Sequence, residues 1–439
     1  MNTKRVVLAT LLSLIPGMAG LAVAVAQPSP RPPDEDEAQP GDVGTTSQAP
    51  AEGEAAPPAS DEEVVAEEVA PPVIDRAPTG SVGYDKGIFI KSDDGKFELK
   101  ITGRIQPFYS GTFNKGEGVA DKHAFEIRRT RVTMEGKIHA GVGWKLQVDY
   151  GKGFLTLKDA HFDWKLANDV WLRAGQWKRP FSRQQINSSG RLELTTRAIT
   201  DTVFGAERDI GFAIRNDYEK SPDLEWIVGV FNGQGVGSRL TGTVDTDPAT
   251  GDGTITGGSF TNVPARFKPA FIARVGLNEG GIKGYQEADL EGGPLRWGVG
   301  ASVWIEADRD KDDKSNQKLE LDFIVKSQGF STTGGVYGQS SQDGLKTFSD
   351  QGLSHVGFHL QPGYMLDKHW QVVARYALVD VQTDFESATS ADTQELGLGG
   401  NYFAFGHDAK FQAAVRIVKP KGAELMDSVV AEVGANVGF

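Results

Sequence analysis

The sequence predicts an all-β fold, a transmembrane antiparallel β-barrel of about sixteen strands. Three observations carry that prediction. Segments of roughly ten residues alternate apolar and polar positions and are separated by Gly, Asn and Asp turns. Beyond residue 26 no window approaches the about 18 consecutive apolar residues of a spanning helix, so any crossing must be made by strands. The chain ends in VVAEVGANVGF, with Val429, Ala431, Val433, Ala435, Val437 and Phe439 on one parity. A terminal aromatic closing an apolar alternation is what outer-membrane barrels present to their assembly machinery.

The pattern is preceded by two segments of different composition. Lys4 and Arg5, an apolar stretch over residues 6–15 and small residues up to Ala26 have the order of a secretory signal peptide, residues 1–26. Residues 27–80 turn to Pro, Ala, Glu and Asp and read as a disordered acidic periplasmic linker, with 13 acidic against 2 basic residues over 27–79. Of the formal net charge of −13, only about −4 is left for the barrel, residues 81–439, once those two segments are set aside. The acidic balance therefore says little about what the folded part binds. The chain has no cysteine, which removes lipid acylation, disulfides, thiolate nucleophiles and Cys-based zinc sites together.

The first strand shows the alternation clearly. In KFELKITGRIQPFYSGTF, Phe97, Leu99, Ile101, Ile105 and Tyr109 share one face and Glu98, Lys100, Thr102, Arg104 and Gln106 the other. Next, Val132, Met134 and Ile138 lead through a tight turn to Trp144, Leu146, Val148 and Tyr150, opposite Thr133, Glu135, Lys137, Lys145, Gln147 and Asp149. Several apolar faces end in Trp or Tyr, as at a membrane interface. Carried along the chain, strands are expected at 96–113, 124–140, 143–151, 157–166, 169–177, 208–216, 224–232 and 265–277. The second half adds 295–306, 317–327, 329–340, 354–365, 369–380, 393–405, 409–418 and 427–439. The total is even, as closure of a bacterial barrel requires.

Links alternate in length. Odd-numbered ones, such as residues 233–264, DRDKDDKSNQ and SSQDGLKTFSDQG, are long and polar; even-numbered ones, such as LAND, LDKH and GHD, are tight. Long loops of such barrels face outward and short turns face the periplasm. NEGGIKGYQEADLEGGP breaks the rule, being long on the short-turn side.

The ordered stretches FEIRRTRVTMEGKI, WKLQVDYG, LKDAHFDWKL, VWLRAGQWKRPFS and ERDIGFAI resemble the phosphate-selective porin O and P family, most strongly over residues 97–232. The resemblance implies an outer-membrane porin of sixteen strands, trimeric, passing small anions such as phosphate or polyphosphate along a lumen lined by Arg and Lys. It also implies a constriction made by an inward-folded third extracellular loop. The third outward link, residues 178–208, is independently long enough to be functional. It carries Lys178, Arg179, Arg183, Arg191, Arg197 and Arg208 against Glu193, Asp201 and Glu207.

On parity, Arg104, Arg129, Arg131, Lys137, Lys145 and Arg173 face the lumen. Rings of such cations replace the solvation an anion loses on entry, and Arg matches phosphate through its planar fork. The same face carries Glu98, Glu135, Asp149, Asp159 and Asp163, so a mixed, locally neutral lining and a general diffusion porin stay open. Arg128 has the parity of Val132 and Met134 and would point outward, at a cost of about 2–4 kcal/mol in mid-membrane. A place near the outer interface, at a bulge or against a neighbouring subunit would relieve it. His161 between Asp159 and Asp163 sits on a wet wall, and no metal or other cofactor is expected. An outer-membrane enzyme would need Ser, His and an orienting carboxylate or amide converging outside, which the scattered histidines do not supply. An adhesin or structural barrel with a blocked lumen is the remaining alternative. No nucleic-acid partner is expected; the partners are small anions, outer-membrane lipid, copies of the chain and, through Phe439, the assembly machinery.

Overall fold

The computed structural model describes residues 79–115, 120–233, 235, 239–246, 253–261, 263, 267–306, 314–343, 353–382, 391–420 and 428–439. The expected signal peptide, and all but the last two residues of the expected linker, lie outside that set.

Alternation at period two puts one side chain of each pair on each face of a strand, and every strand inferred from it is present. The first half of the barrel comprises β3 (Glu98–Asn114), β4 (Lys122–His139), β5 (Val142–Asp149), β6 (Thr156–Ala167), β7 (Val170–Lys178), β8 (Arg208–Arg215) and β9 (Leu224–Phe231). The second comprises β12 (Ala270–Glu279), β13 (Arg296–Glu306), β14 (Lys314–Ser327), β15 (Phe330–Asp343), β16 (His355–Met365), β17 (Trp370–Val381), β18 (Thr393–Phe405), β19 (Ala409–Pro420) and β20 (Ser428–Gly438). Neighbours pair antiparallel, β9 pairs with β12, and β20 returns to β3 from Ser428↔Asn114 to Gly438↔Arg104. Sixteen strands, β3 to β9 and β12 to β20, therefore close on themselves without an edge.

The barrel is inverted relative to a water-soluble protein. Phe212, Leu398 and Val433 on the outside are 60%, 60% and 57% exposed, whereas Glu225, Gln361 and Glu395 inside are all 0% exposed. Strand backbone in lipid must satisfy every N–H and C=O within the sheet, and closure does so.

The seam depends on a missing side chain. Phe439 N–H donates to the Gly103 carbonyl at 3.0 Å and Gly103 N–H to the Phe439 carbonyl at 2.9 Å. The Phe439 ring then lies over Gly103 so closely that a Cβ there would be 2.1 Å from it.

Four short strands were not anticipated. β1 (Gly80–Tyr84) and β2 (Ile88–Ser92) form a hairpin, and β2 adds to β3 at Glu98–Ile101, beyond the end of β20. Five residues each are too few for a periodic signal. β10 (Arg239–Thr246) and β11 (Gly253–Thr261) pair with each other inside the long link between β9 and β12, where Thr- and Gly-rich composition reads as loop.

Arg128 receives a definite answer. Arg129 pairs with Gln106 and Ile127 with Pro107, leaving Arg128 as an extra residue on β4. Such a bulge sets two successive residues on the same side. Arg128 and Arg129 both turn inward, while Ile127 and Phe125 remain outside, 48% and 88% exposed. Outward parity for Arg128 is thus corrected by the bulge.

Candidate functional site

The third link, residues 179–207, folds into the barrel because its sequence is amphipathic in the same inverted sense as the wall it meets. It holds two short helices, α1 (Arg183–Ile186) and α2 (Ile199–Phe204). Phe181 and Phe204 are fully buried, Phe181 edge-on to Trp304 at 6.1 Å and Phe204 stacked on Tyr337 at 5.1 Å. These rings, with Trp177, Tyr218, Phe231 and Ile272, form the apolar core of the molecule inside the barrel. Polar anchors complete the attachment to the β12–β18 side. Arg183 Nε donates to Asp322 Oδ1 at 2.6 Å, and Arg375 Nη1 to the Thr196 carbonyl at 2.8 Å. Glu193 accepts from Ser331 Oγ at 2.5 Å, Gln371 Nε2 at 2.6 Å and Gln361 Nε2 at 2.9 Å.

The exceptional link on the short-turn side, residues 280–295, enters the same lumen from the opposite end. Ile282, Tyr285, Glu287, Ala288 and Asp289 are buried. Tyr285 Oη donates to Glu225 Oε1 at 2.8 Å, and the Gly284 carbonyl accepts from Arg183 Nη1 at 3.1 Å. Its length is explained by this role: a two-residue turn could not reach the third link. Together the two segments fill the half of the lumen nearest β12–β18.

What stays open is a polar cavity of about 550 Å³ bounded by β3–β8, the third link and the C-terminal strands. Nine Lys and Arg but four Asp and Glu line it, so the lining is net positive. On the opposite wall Glu225 and Asp322 are neutralised locally, Arg274 lying 3.1 Å from Glu225 and 2.5 Å from Asp322.

The inferred cations divide into three groups. On the wall, Arg131 pairs with Asp149 at 2.7 Å, Lys145 with Glu135 at 3.0 Å, Arg173 with Asp163 at 2.8 Å and Arg208 with Asp159 at 2.7 Å. Lys137, 3.7 Å from Glu98 and with 57% of its side chain exposed, sits at the short-turn rim. These pairs match the locally neutral lining that the alternating signs suggested. A second group serves the third link as structure. Arg179 reaches Asp209 and the Ala206 carbonyl and lies 4.2 Å from the Trp304 ring centre, and Arg183 is committed to Asp322. Arg197 donates to the Gln184, Gln185 and Asn187 carbonyls.

The third group has no carboxylate within 4 Å among the described residues. Arg104 donates to Ser188 Oγ at 3.2 Å and Ser189 Oγ at 3.0 Å, and Arg129 to Gln106 Oε1 at 3.0 Å. Lys178 Nζ donates to the Ile186 and Asn187 carbonyls, and Arg191 lines the cavity from the third link. Arg104 faces Arg131 directly across β3 and β4. Cationic side chains without a carboxylate partner leave a positive potential that a permeant anion can meet.

Sequence reasoning passed over Lys86 and Lys100, which also line the cavity, and Arg215, which shares Asp163 with Arg173 at 2.8 Å. The parity of Lys100 and Arg215 marked both as inward; Lys86 lies at the turn of a hairpin too short to read. His161 packs against Trp177, 3.6 Å from Asp163.

Residues 99–290 match the family described as phosphate-selective porin O and P. No curated protein matches the chain by sequence. Among solved structures, the anion-selective porin from Comamonas acidovorans is similar at 12% identity and a TM-score of 0.50, covering 78% of this chain and 100% of that one. The outer membrane channel DcaP of Acinetobacter baumannii is similar at 14% identity and a TM-score of 0.50, covering 80% and 99%. OprB of Pseudomonas putida, in its high-pH structure, is similar at 9% identity and a TM-score of 0.52, covering 81% and 95%. At such identities the likeness bears on the fold, a closed barrel of outer-membrane type.

Proposed function

We propose that the chain, whose residues 99–290 match the phosphate-selective porin O and P family, passes small anions across the outer membrane by passive diffusion. The observation that carries this reading is a set of cations with no carboxylate within 4 Å among the described residues: Arg104, Arg129 and Lys178, held by neutral partners, and Arg191, which lines the cavity. An anion entering the half-filled lumen loses water and meets guanidinium and ammonium donors that do not first have to leave a carboxylate. Arg104 and Arg131, side by side, suit an oxyanion with several acceptor oxygens, so phosphate or polyphosphate is the substrate class favoured. The chemistry is conduction, not catalysis.

Several further points belong to the same proposal. The barrel assembles as a homotrimer and is delivered to the assembly machinery through Phe439. Residues 1–26 are a signal peptide, and 27–80 a periplasmic linker leading to the barrel, residues 81–439. The start of β3, where the β1–β2 hairpin attaches, lies at the short-turn end, which supports a periplasmic position for the linker. The runner-up, a general diffusion porin, draws on the paired wall, where four cations each have a carboxylate.

Purified protein in a planar bilayer separates the two. In a KCl gradient the reversal potential takes the sign of an anion-selective channel, and added phosphate blocks chloride current. A cation-selective sign overturns the anion reading, and absence of conductance overturns the channel reading.

A further inference from the structure

We propose that Glu287, on the link that enters from the short-turn end, is a positioning residue for Arg191, so that a periplasmic segment sets part of the selectivity of the ion path. This rests on the anion-channel reading above. Glu287 holds the third link at two points around Leu192: its N–H donates to the Arg191 carbonyl at 3.4 Å, and its Oε2 accepts the Glu193 N–H at 2.7 Å. The contact is secured from the wall by Gln361, whose Nε2 donates to Glu193 Oε2 and to Glu287 Oε2, each at 2.9 Å.

The wall holds the next two carbonyls instead. Lys410 Nζ donates to Leu192 O at 2.5 Å, and Asn401 Nδ2 and Gln412 Nε2 donate to Glu193 O at 2.9 and 3.1 Å. Arg191 itself is thus tethered through its carbonyl to the link, while its side chain lines the cavity with no carboxylate within 4 Å among the described residues. Two buried carboxylates sharing one amide donor is an unfavourable arrangement for stability alone. It places the basic residue from the third link at a fixed point in the path, and a long, rotamer-rich side chain has a defined reach only when its backbone is held.

The sign of the effect tests the idea. Removing an acid from beside the path by electrostatics alone raises anion preference. Glu287→Ala keeps the backbone N–H that holds the Arg191 carbonyl but releases the Glu193 N–H, so if the Glu287 side chain positions Arg191 the variant lowers the anion-to-cation permeability ratio by part of the about fivefold loss expected of Arg191→Ala. Glu287→Gln, whose amide oxygen can still accept the Glu193 N–H, restores the ratio, and Glu287→Ala adds nothing in the Arg191→Ala background. The readout is the reversal potential of the full barrel in a KCl gradient. If Glu287→Ala does not insert, Glu287→Asp draws the carboxylate back by one methylene without changing charge and is expected to lower the ratio likewise. A ratio that rises or stays unchanged in the Ala or Asp variant, while Arg191→Ala lowers it, overturns the proposal and leaves the channel reading intact. Lack of anion preference in the unmodified protein overturns the reading beneath it.

Discussion

Arg128 shows how one residue changes the meaning of a strand. Its guanidinium donates to Glu432 Oε1 at 2.6 Å, Glu126 Oε1 at 2.8 Å and Ser110 Oγ at 2.7 Å, and lies 4.1 Å from the centre of the Phe108 ring. Facing lipid, the same group would have had none of these partners. With only 9% of its side chain exposed, it ties β4 to the C-terminal strand across the seam. Removing one member of a buried pair strands the other, so Arg128→Ala is expected to cost about 3 kcal/mol. Arg416, 3.6 Å from the other Glu432 oxygen, moderates that loss. Urea unfolding in lipid vesicles, followed by tryptophan fluorescence, measures it; an unchanged midpoint would show that the bulge arginine contributes nothing to closure.

At the scale of elements, closure and filling are separate events. The seam joins β20 to β3 and ends on the Gly103–Phe439 hydrogen-bonded pair. A side chain at position 103 would displace the ring, so Gly103→Val is expected to lower the temperature at which the folded barrel unfolds in detergent by at least a few degrees. Gel mobility after stepwise heating gives the comparison, and equal conversion temperatures would remove the ring from any part in closure. The third link and residues 280–295 fill the lumen independently of that seam, by burying Phe181, Phe204 and Tyr285 against the β12–β18 wall. Neither segment is periodic: length marked the third link as functional and the family resemblance implied its inward course, whereas residues 280–295 stood out only as too long for their side of the barrel.

For the whole molecule, the separation of charge matters more than its sum. The barrel is slightly acidic, yet its cavity is net positive: nine Lys and Arg line it against four Asp and Glu, while Asp322 and Glu395 on the filled side are engaged by Arg183, Arg274 and Arg375. Selectivity of this origin depends on the reach of the potential. The screening length falls from about 10 Å at 0.1 M to about 3 Å at 1 M salt. The permeability ratio obtained from reversal potentials is therefore expected to move toward unity as mean KCl rises over that range. A ratio independent of salt would point to steric exclusion instead of the cationic wall.

The number and order of the sixteen barrel strands, and their facing outside the bulge at Arg128, were legible in the amino-acid sequence, because period-two alternation is a local property that lipid outside and water inside impose on every barrel strand alike. The inward parity of Arg104, Arg131, Lys145 and Arg173 followed from the same rule. Only the tertiary structure decided which cations keep a free charge. Arg131 and Arg104 look equivalent on parity, yet Asp149 comes to one and serines of the third link to the other. It also decided the fate of Arg128, since a bulge is a relation between two strands, and of Glu287, whose partners at 191, 193 and 361 are brought to it by closure of the barrel. Pairing of charges is set by distances across the lumen, and those exist only once the sheet has closed.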